Sequence, residues 1–322
     1  MSDIEKIKQH YLPKAYLSFF ATQGRTTPMI YAYFLATRES KYLSIDRICF
    51  QNYLYEHKIK SENSTTLNYF HPNEIENSFI EYEGKYSSLV KRIVNDIETT
   101  DTYILTDDDH DTLTLSLALF QFRSPSFVNI SNYITEKILF EKTDLIKMLK
   151  AEYPDIDEQV IKAGIAHENL SLAIHPQKGI YVDSLKNVVK DDQLCILRSN
   201  TCAFITSDAP IINIWGCRDN VDYDILGMPI TPNLFLAFID SQKKLDPVID
   251  INESDVQKLN MKQRNRKAPS MFLSQDDVLS AESCEQTIEN IELTAGMELF
   301  EGMVLDEESL ALYHDMMKSF EK

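Results

Sequence analysis

The longest regular pattern in the chain is a stripe of apolar side chains that recurs every three or four residues through Asn73–Glu98. This spacing predicts a helix of about seven turns with one face buried in a larger core. The stripe consists of Ile75, Phe79, Tyr82, Tyr86, Leu89, Val90, Ile93 and Ile97. Asn73 and Glu76 have the spacing of a helix cap and its third helical residue, so we expect a capping box at the start of this helix.

One glutamate lies within the apolar stripe. At about 100° per residue, Glu83 falls roughly 20° from Val90 around the helix. A buried carboxylate must be neutralised, paired with a cation or bound to a metal. Two interpretations therefore stay open for Glu83: a structural pair with an arginine, or a catalytic or metal-ligating role.

Arg123 is the candidate partner for Glu83. It closes the apolar segment Thr112–Arg123, which we predict to be a helix because Ser124-Pro125 follows as a stop. A guanidinium in that position needs a planar partner, either a carboxylate or a phosphate. We predict that Glu83 and Arg123 are buried within ion-pair distance of each other.

The pattern changes to β-type after about residue 176. We predict a hairpin formed by Leu194–Arg198 and Cys202–Thr206, then strands at Ile211–Trp215 and Leu234–Ile239, with a loop at Pro229 and Pro232 between them. Other predicted elements are a strand at Pro28–Phe34 and helices beginning near Pro13, over Ile134–Lys150 and Asp157–Ile165, from Asp255 onwards, and over Asp306–Phe320. Residues 1–322 are therefore expected to form a single α+β domain. Its N-terminal half is mainly helical, and helices at both ends surround a small, mainly antiparallel sheet.

Charge limits the classes of partner. With 32 basic and 50 acidic residues the net charge is −18, which disfavours long DNA but leaves RNA or a nucleotide open. The acidic run Thr106–Asp111 is interpreted as a helix start, with a divalent-cation loop as the alternative. The basic cluster Lys262–Lys267 is interpreted as a solvated helix face, with a local basic groove as the alternative.

Composition excludes further classes. Only 8 of 322 residues are glycine, about 2.5% against a usual ~7%. No GxGxxG or P-loop motif occurs, which argues against a dinucleotide-binding or P-loop nucleotide-binding protein. The five cysteines, an odd number with no CxxC, are expected to stay reduced, and no secretory signal or apolar run of ~18–20 residues is present. We therefore expect a cytoplasmic protein that does not enter a membrane. His71, His167 and His175 show no metal-ligand spacing.

Five patches in order along the chain resemble the bacterial and fungal domain-of-unknown-function family 4238. They are His10–Phe20, the glutamates Glu76 and Glu83, Gln121–Pro125, Phe204–Pro210 and Pro229–Pro232. These match the family patterns H-x-[VL]-P-x-x-Y-L-x-x-F, Q-x-x-R-[ST]-P (one residue shorter here), F-[IV]-T-S-D-x-P and P-[IL]-[ST]-P. The resemblance covers about residues 10–275 and leaves 276–322 as a helical extension. It implies relatedness and no particular activity.

Four residues are the candidates for catalysis. His10 is suited to general acid–base chemistry near neutral pH, although a packing role is the alternative. Asp208 follows a predicted strand, where a carboxylate either faces a cleft or begins a turn. Together with Glu83 it could hold a divalent metal, while Arg123 would bind a phosphate. Tyr16 and Ser207 are the candidate substrate contacts.

Two functions follow from these residues. The first is a phosphodiester- or phosphate-acting hydrolase or nuclease on RNA or a nucleotide, with a role in stress or phage defence. It requires His10 and Asp208 to share one concave site with Arg123 nearby. The second is a non-catalytic binding or regulatory module, in which the same polar residues form a buried network and the acidic surface binds a basic partner.

Overall fold

The computed structural model describes residues 7–24, 26–59, 68–141, 144–218, 221–240, 244–266 and 268–279. The predicted helix Asp306–Phe320 lies outside these residues. The helices are α1 (Lys14–Phe19), α2 (Glu74–Ser78), α3 (Ile80–Thr100), α4 (Asp107–Phe122), α5 (Pro125–Ile134), α6 (Leu145–Glu152), α7 (Glu158–Ile174), α8 (Ile180–Val188) and α9 (Glu253–Arg264). The strands are β1 (Lys8–His10), β2 (Thr22–Gln23), β3 (Pro28–Phe34), β4 (Glu39–Ser44), β5 (Phe50–Asn52), β6 (Lys58–Ile59), β7 (Asn68–Tyr69), β8 (Gln193–Ser199), β9 (Thr206–Ser207), β10 (Ile212–Arg218), β11 (Val221–Thr231), β12 (Leu234–Asp240), β13 (Val248–Ile251) and β14 (Met271–Ser274).

These elements confirm the α+β class. The helical part of the chain is α2 to α8, whereas the residues before it form short strands around α1. The predicted strand Pro28–Phe34 is β3, and α1 begins directly after Pro13, as its fixed backbone angle favours. In the described part of the chain, no helix is both long and apolar enough to cross a membrane.

The predicted helix Asn73–Glu98 is present as α2 and α3, which meet at Phe79. The apolar stripe of α3 is buried as expected. The capping box at Asn73 is wrong, because this residue has a left-handed backbone (φ 65°) and its side chain makes no cap. In a capping box the backbone N–H of Asn73 would donate to the Glu76 side chain. Here it donates instead to Glu56 Oε1 at 2.9 Å.

Helix α4 lies at the centre of the molecule, since its side chains are buried on almost every face. Thr106 Oγ1 accepts a hydrogen bond from Asp109 N at 3.2 Å, and Asp109 Oδ2 accepts one from Thr106 N at 3.0 Å. This reciprocal capping box confirms that the acidic run begins a helix. Burial on all sides explains why the segment shows little helical periodicity in its sequence.

The larger sheet has the strand order β10-β11-β12-β8-β13, antiparallel except for the β8–β13 pair. The predicted hairpin between Leu194–Arg198 and Cys202–Thr206 is wrong. Both edges of β8 are occupied by β12 and β13, so the following segment leaves this sheet. The predicted loop at Pro229 is also wrong: Pro229 lies within β11, where the register shifts before Thr231. A bulge accommodates a proline, which has no N–H to donate.

The second sheet brings distant segments together. Its order is β2-β3-β14-β9, with β4 paired to β3, and all its pairs are antiparallel. Strand β14 therefore lies between β3 from the start of the chain and β9 from its second half. This places Asp208, directly after β9, beside the start of β14.

Two helix predictions need correction. The predicted helix Ile134–Lys150 is divided into the end of α5, a π-helical turn at Thr135–Phe140 and α6. The basic cluster Lys262–Lys267 is not simply solvated, because Gln263 and Arg266 are buried. Arg266 Nη1 donates to the carbonyl of Ala209 at 2.6 Å, so this end of α9 is tied to the second sheet.

The cysteines that the structure describes are free thiols: Cys49, Cys195 and Cys202. The side chains of Cys217 and Cys284 lie outside the described part of the structure.

Candidate functional site

Arg123 lies at the junction of two helices. Helix α4 ends at Phe122, and the hydroxyl of Ser124 caps α5 by accepting a hydrogen bond from Phe127 N at 3.4 Å. Pro125 takes the first position of α5, where its missing N–H costs nothing. Arg123 is held at this turn and is 0% exposed.

Protein groups surround the Arg123 guanidinium. Nη1 donates to Glu83 Oε1 at 2.6 Å, Nη2 to the carbonyl of His10 at 2.6 Å and Nε to the hydroxyl of Tyr55 at 3.4 Å. Glu76 Oε2 lies 3.8 Å from Nη2. The predicted ion pair between Glu83 and Arg123 is therefore confirmed, but of the two only Arg123 is buried as predicted, since the Glu83 side chain is partly exposed. Glu76 belongs to this group of residues and does not cap a helix. We call these residues the Arg123 network.

Aromatic packing completes the enclosure of the cation. The guanidinium carbon lies 4.0 Å from the ring centroid of Phe79, the residue at which α2 and α3 meet. Burial lowers the pKa of Arg123, but the facing groups Tyr55, Glu83 and Glu76 outweigh it and raise the pKa above its usual value. Arg123 is therefore a permanent cation between two carboxylates. The side chain of Glu83 remains 30% exposed, so the network touches solvent on that side.

His10 contributes its backbone, not its ring, to the Arg123 network. The ring packs against Phe50 at a centroid distance of 5.6 Å, on the strand that pairs with β1. Burial and the nearby cation of Lys14 lower the pKa of His10 to about 4, so the imidazole is neutral at pH 7. Its Nε2 is buried and has no hydrogen-bond partner among the described residues.

Asp208 is the centre of a second network. Its Oδ1 accepts from Ser270 N at 2.8 Å and Met271 N at 3.2 Å, and its Oδ2 accepts from Ser270 Oγ at 2.5 Å and Tyr11 OH at 3.4 Å. Asp208 is 8% exposed, and burial raises its pKa against the opposing effect of these hydrogen bonds. The carboxylate thus holds the start of β14 in place. We call these residues the Asp208 network.

The candidate substrate contacts are both interior. The hydroxyl of Tyr16 bonds with Thr206 Oγ1 at 2.5 Å and donates to the carbonyl of Pro229 at 2.8 Å. Ser207 Oγ accepts from Gln263 Nε2 and from the backbone N–H of Ala209. Tyr16 and Ser207 are both 0% exposed, so neither can contact a ligand from solvent in this structure.

The two networks meet at consecutive residues of the N-terminal segment. Arg123 binds the carbonyl of His10, and Asp208 binds the hydroxyl of Tyr11. The His10 ring packs on Phe50, whereas the Asp208 carboxylate faces the start of β14. The structure therefore joins the predicted residues through the backbone and Tyr11, and the described contacts of the His10 ring do not include Asp208.

The family model described as "Protein of unknown function (DUF4238)" matches residues 8–271. The chain belongs to this family. All members of the Arg123 and Asp208 networks lie inside the matched range, as do the motifs that indicated the resemblance. No curated protein and no solved structure matches the chain.

An open cleft in this DUF4238 protein lies between α3, α4 and α8 and has a volume of about 510 Å³. Its charged lining residues are Lys85, Asp107, Asp108, Asp111, Lys186 and Lys190. None of the four predicted catalytic residues lines it. Among the residues that the structure describes, no group of three or more His, Cys, Asp or Glu side chains could hold a metal ion.

The sequence did not predict a gathering of histidines beside α7. The ring centroids of His57 and His71 lie 6.0 and 5.9 Å from that of His167. Glu74 lies among them, with Oε2 3.3 Å from His167 Nε2. We call His57, His71, Glu74 and His167 the histidine cluster. Its members come from three separate segments, so no local spacing could have indicated it.

Proposed function

We propose that this protein is a non-catalytic binding or regulatory module. One observation carries this proposal: Arg123 and Asp208 are buried, and protein groups already occupy their bonding positions. A phosphate would have to displace Glu83 from Arg123, and a metal would have to displace the N–H groups that point at Asp208. Both displacements would leave buried groups unpaired, at a cost of roughly 1–3 kcal/mol for each.

The polar residues then serve to fix the fold. The Arg123 network joins β1, α2, α3 and α4, and the Asp208 network joins the second sheet to the N-terminal segment. A chain with net charge −18 attracts cationic partners over a distance of about 10 Å at moderate salt. The proposed partner is a basic protein segment in the cytoplasm.

The test uses the full chain and two peptides of equal length, one rich in Lys and Arg and one rich in Asp and Glu. We expect the basic peptide to bind with an affinity that falls as salt rises, and the acidic peptide not to bind. In parallel, RNA oligonucleotides and nucleoside triphosphates are incubated with the protein and Mg²⁺, Mn²⁺ or Zn²⁺. Turnover that disappears in His10→Gln at an unchanged thermal midpoint would overturn the proposal.

One observation favours the second candidate, a phosphate-acting hydrolase on RNA or a nucleotide with a defence role. The neutral ring of His10 retains a buried Nε2 that has no hydrogen-bond partner among the described residues, and the Arg123 partner Glu83 is partly exposed. A neutral imidazole can accept a proton from an attacking water. The substrate incubation above also tests this candidate, with Phe50→Leu as the matched variant that changes the packing of His10 but keeps its ring.

A further inference from the structure

Strands β6 and β7 form a separate sheet of two short strands, with two residues in each. A sheet of this size has little stability of its own in water. One further hydrogen bond extends it, from Phe70 N to the carbonyl of His57 at 3.0 Å. The pair of strands therefore depends on packing against other elements to stay in place.

Two rings attach this pair of strands to the helices. A Cβ atom at Gly164 in α7 would lie 3.1 Å from Phe70 Cζ, so the small residue leaves room for the Phe70 ring against the helix. The second ring is that of His57, whose Nε2 lies 3.0 Å from Asn132 Oδ1 on α5. Its centroid is 6.0 Å from that of His167 on α7. The strands are thus held to α7 by Phe70 and to α5 by His57.

The hydrogen bond to Asn132 requires only the neutral form of His57. Because Asn132 Oδ1 can only accept, Nε2 carries the proton of the neutral ring and Nδ1 carries a lone pair. Nδ1 is buried and has no hydrogen-bond partner among the described residues. A proton added there would create a buried N–H without an acceptor and a buried positive charge. The neutral ring fits its surroundings, whereas the imidazolium does not.

The groups around His57 do not compensate for such a charge. The titratable side chains on its own segment and on the elements packed against it are Glu56, Lys58, Tyr69, His71, Glu74 and His167. Glu56 Oε1 already accepts from Gln9 Nε2 and from a backbone N–H, and Glu74 Oε2 lies 3.3 Å from His167 Nε2. Burial and the neighbouring His167 lower the pKa of His57, against the opposing effect of the Asn132 hydrogen bond.

We propose that strands β6 and β7 are a pH-sensitive switch, in which protonation of His57 releases them from α5 and α7. At neutral pH the uncharged ring stays bonded to Asn132. At acidic pH a proton from solvent binds to Nδ1 in the released form, where water surrounds the imidazolium. Release exposes Phe70 and the part of α7 around Gly164 and His167.

Proton binding to the released form sets the size of the effect. The pKa of His57 is 6.5 when the ring is hydrated and lower when it is buried, so below pH 6.5 the released form binds more protons. Its population should rise by about tenfold from pH 7 to pH 5, and by at most about 25-fold.

The test is amide hydrogen exchange of the full chain at pH 7, 6 and 5, corrected for the intrinsic pH dependence of exchange. We expect the protection of residues 57–59 and 68–70 to fall about tenfold from pH 7 to pH 5. At each pH these amides should exchange at least about tenfold faster than those of β8, because a local release leaves the larger sheet folded.

The decisive variant is His57→Gln, since an amide can still donate to Asn132 but does not titrate. It should keep the protection at pH 7 within about threefold and remove the fall toward pH 5. Asn132→Asp places a carboxylate beside Nε2 and stabilises the imidazolium in the attached form, so the fall should shrink to less than about threefold. The matched control is His110→Gln, in α4 beside Phe238 and outside the histidine cluster, which should keep the fall of the parent.

Protection of β6 and β7 that stays constant between pH 7 and pH 5 would overturn the proposal. So would a fall that persists in His57→Gln, or one that His110→Gln also removes. If His57→Gln is already unprotected at pH 7, Asn132→Asp decides: a fall as large as that of the parent overturns the proposal, and a smaller fall supports it.

Discussion

Arg123 in the Arg123 network and His167 in the histidine cluster are both buried polar side chains, but only Arg123 has hydrogen-bond partners among the described residues. The guanidinium of Arg123 donates to Glu83, the His10 carbonyl and Tyr55, while the buried ring of His167 has no hydrogen bond among the described residues. A buried polar group with partners stabilises the fold, whereas one without partners costs free energy. The family motifs thus lead to the Arg123 network, whereas the histidine cluster lies where no motif indicated it.

The largest expected effect on stability tests how strongly the Arg123 network holds the fold together. Arg123→Met should lower the free energy of unfolding by about 3–5 kcal/mol, because Glu83 and Glu76 lose their buried cation. Urea unfolding measures this loss. Lys147→Ala is the control, since its ion pair with Asp144 is exposed and should contribute no measurable stability. Equal midpoints for the two variants would mean that the network does not hold the fold.

Asp208 tests the same idea with a neutral substitution. Asp208→Asn keeps the shape of the side chain but turns an amide group toward the N–H and hydroxyl donors of Ser270, Met271 and Tyr11. We expect a loss of about 1–3 kcal/mol in urea unfolding. Asp144→Asn, at an exposed site, should leave the midpoint in place. If Asp208→Asn retains full stability, the Asp208 carboxylate does not hold the start of β14 in place. A functional role for this carboxylate would then be the better explanation.

The third prediction concerns the stability of the folded chain at acidic pH. The folded pKa of His10 is about 4, below its ordinary value of 6.5, so between these values the unfolded chain binds a proton that the folded chain does not. Stability should therefore fall as pH drops from 6.5 to 4, by about 1–2 kcal/mol for this partly exposed ring. Burial lowers the pKa of His57 as well and adds to the loss.

Unfolding in urea at several pH values measures this slope. His10→Gln should flatten it relative to the parent, because the residue no longer takes up a proton on unfolding. A parent chain whose stability is constant from pH 6.5 to 4 would show that the His10 ring is hydrated in solution.

The smallest expected effect on stability is at His167, which differs from Arg123 in having no hydrogen-bond partner among the described residues. His167→Phe replaces a buried imidazole, for which the described residues supply no hydrogen bond, by an apolar ring beside Phe70, His57 and His71. We expect the free energy of unfolding to change by less than about 1 kcal/mol or to rise. Thermal and urea unfolding of the variant and the parent test this prediction. A loss as large as that of Arg123→Met would show that His167 is part of the structural framework.

The local sequence pattern determined those helices and strands whose conformation depends mainly on residues nearby in the chain. The apolar stripe of α3, the capped start of α4 and the strand Pro28–Phe34 could be predicted because periodicity and caps act over a few residues. The Glu83–Arg123 pair could be predicted too. One residue carries a charge on a buried stripe and the other closes an apolar helix, so each requires an opposite charge.

Apart from the Glu83–Arg123 pair, tertiary structure alone decided which residues became hydrogen-bond and strand partners. The segment after β8 has strand-like residues, but its pairing with β14 depended on β12 and β13 having filled both edges of β8. Asp208 could equally have faced a cleft, and only the arrival of Ser270 and Met271 filled its oxygens. The histidine cluster needed Gly164 to admit the Phe70 ring. Each of these outcomes depends on contacts between residues far apart in the chain, which local patterns do not encode.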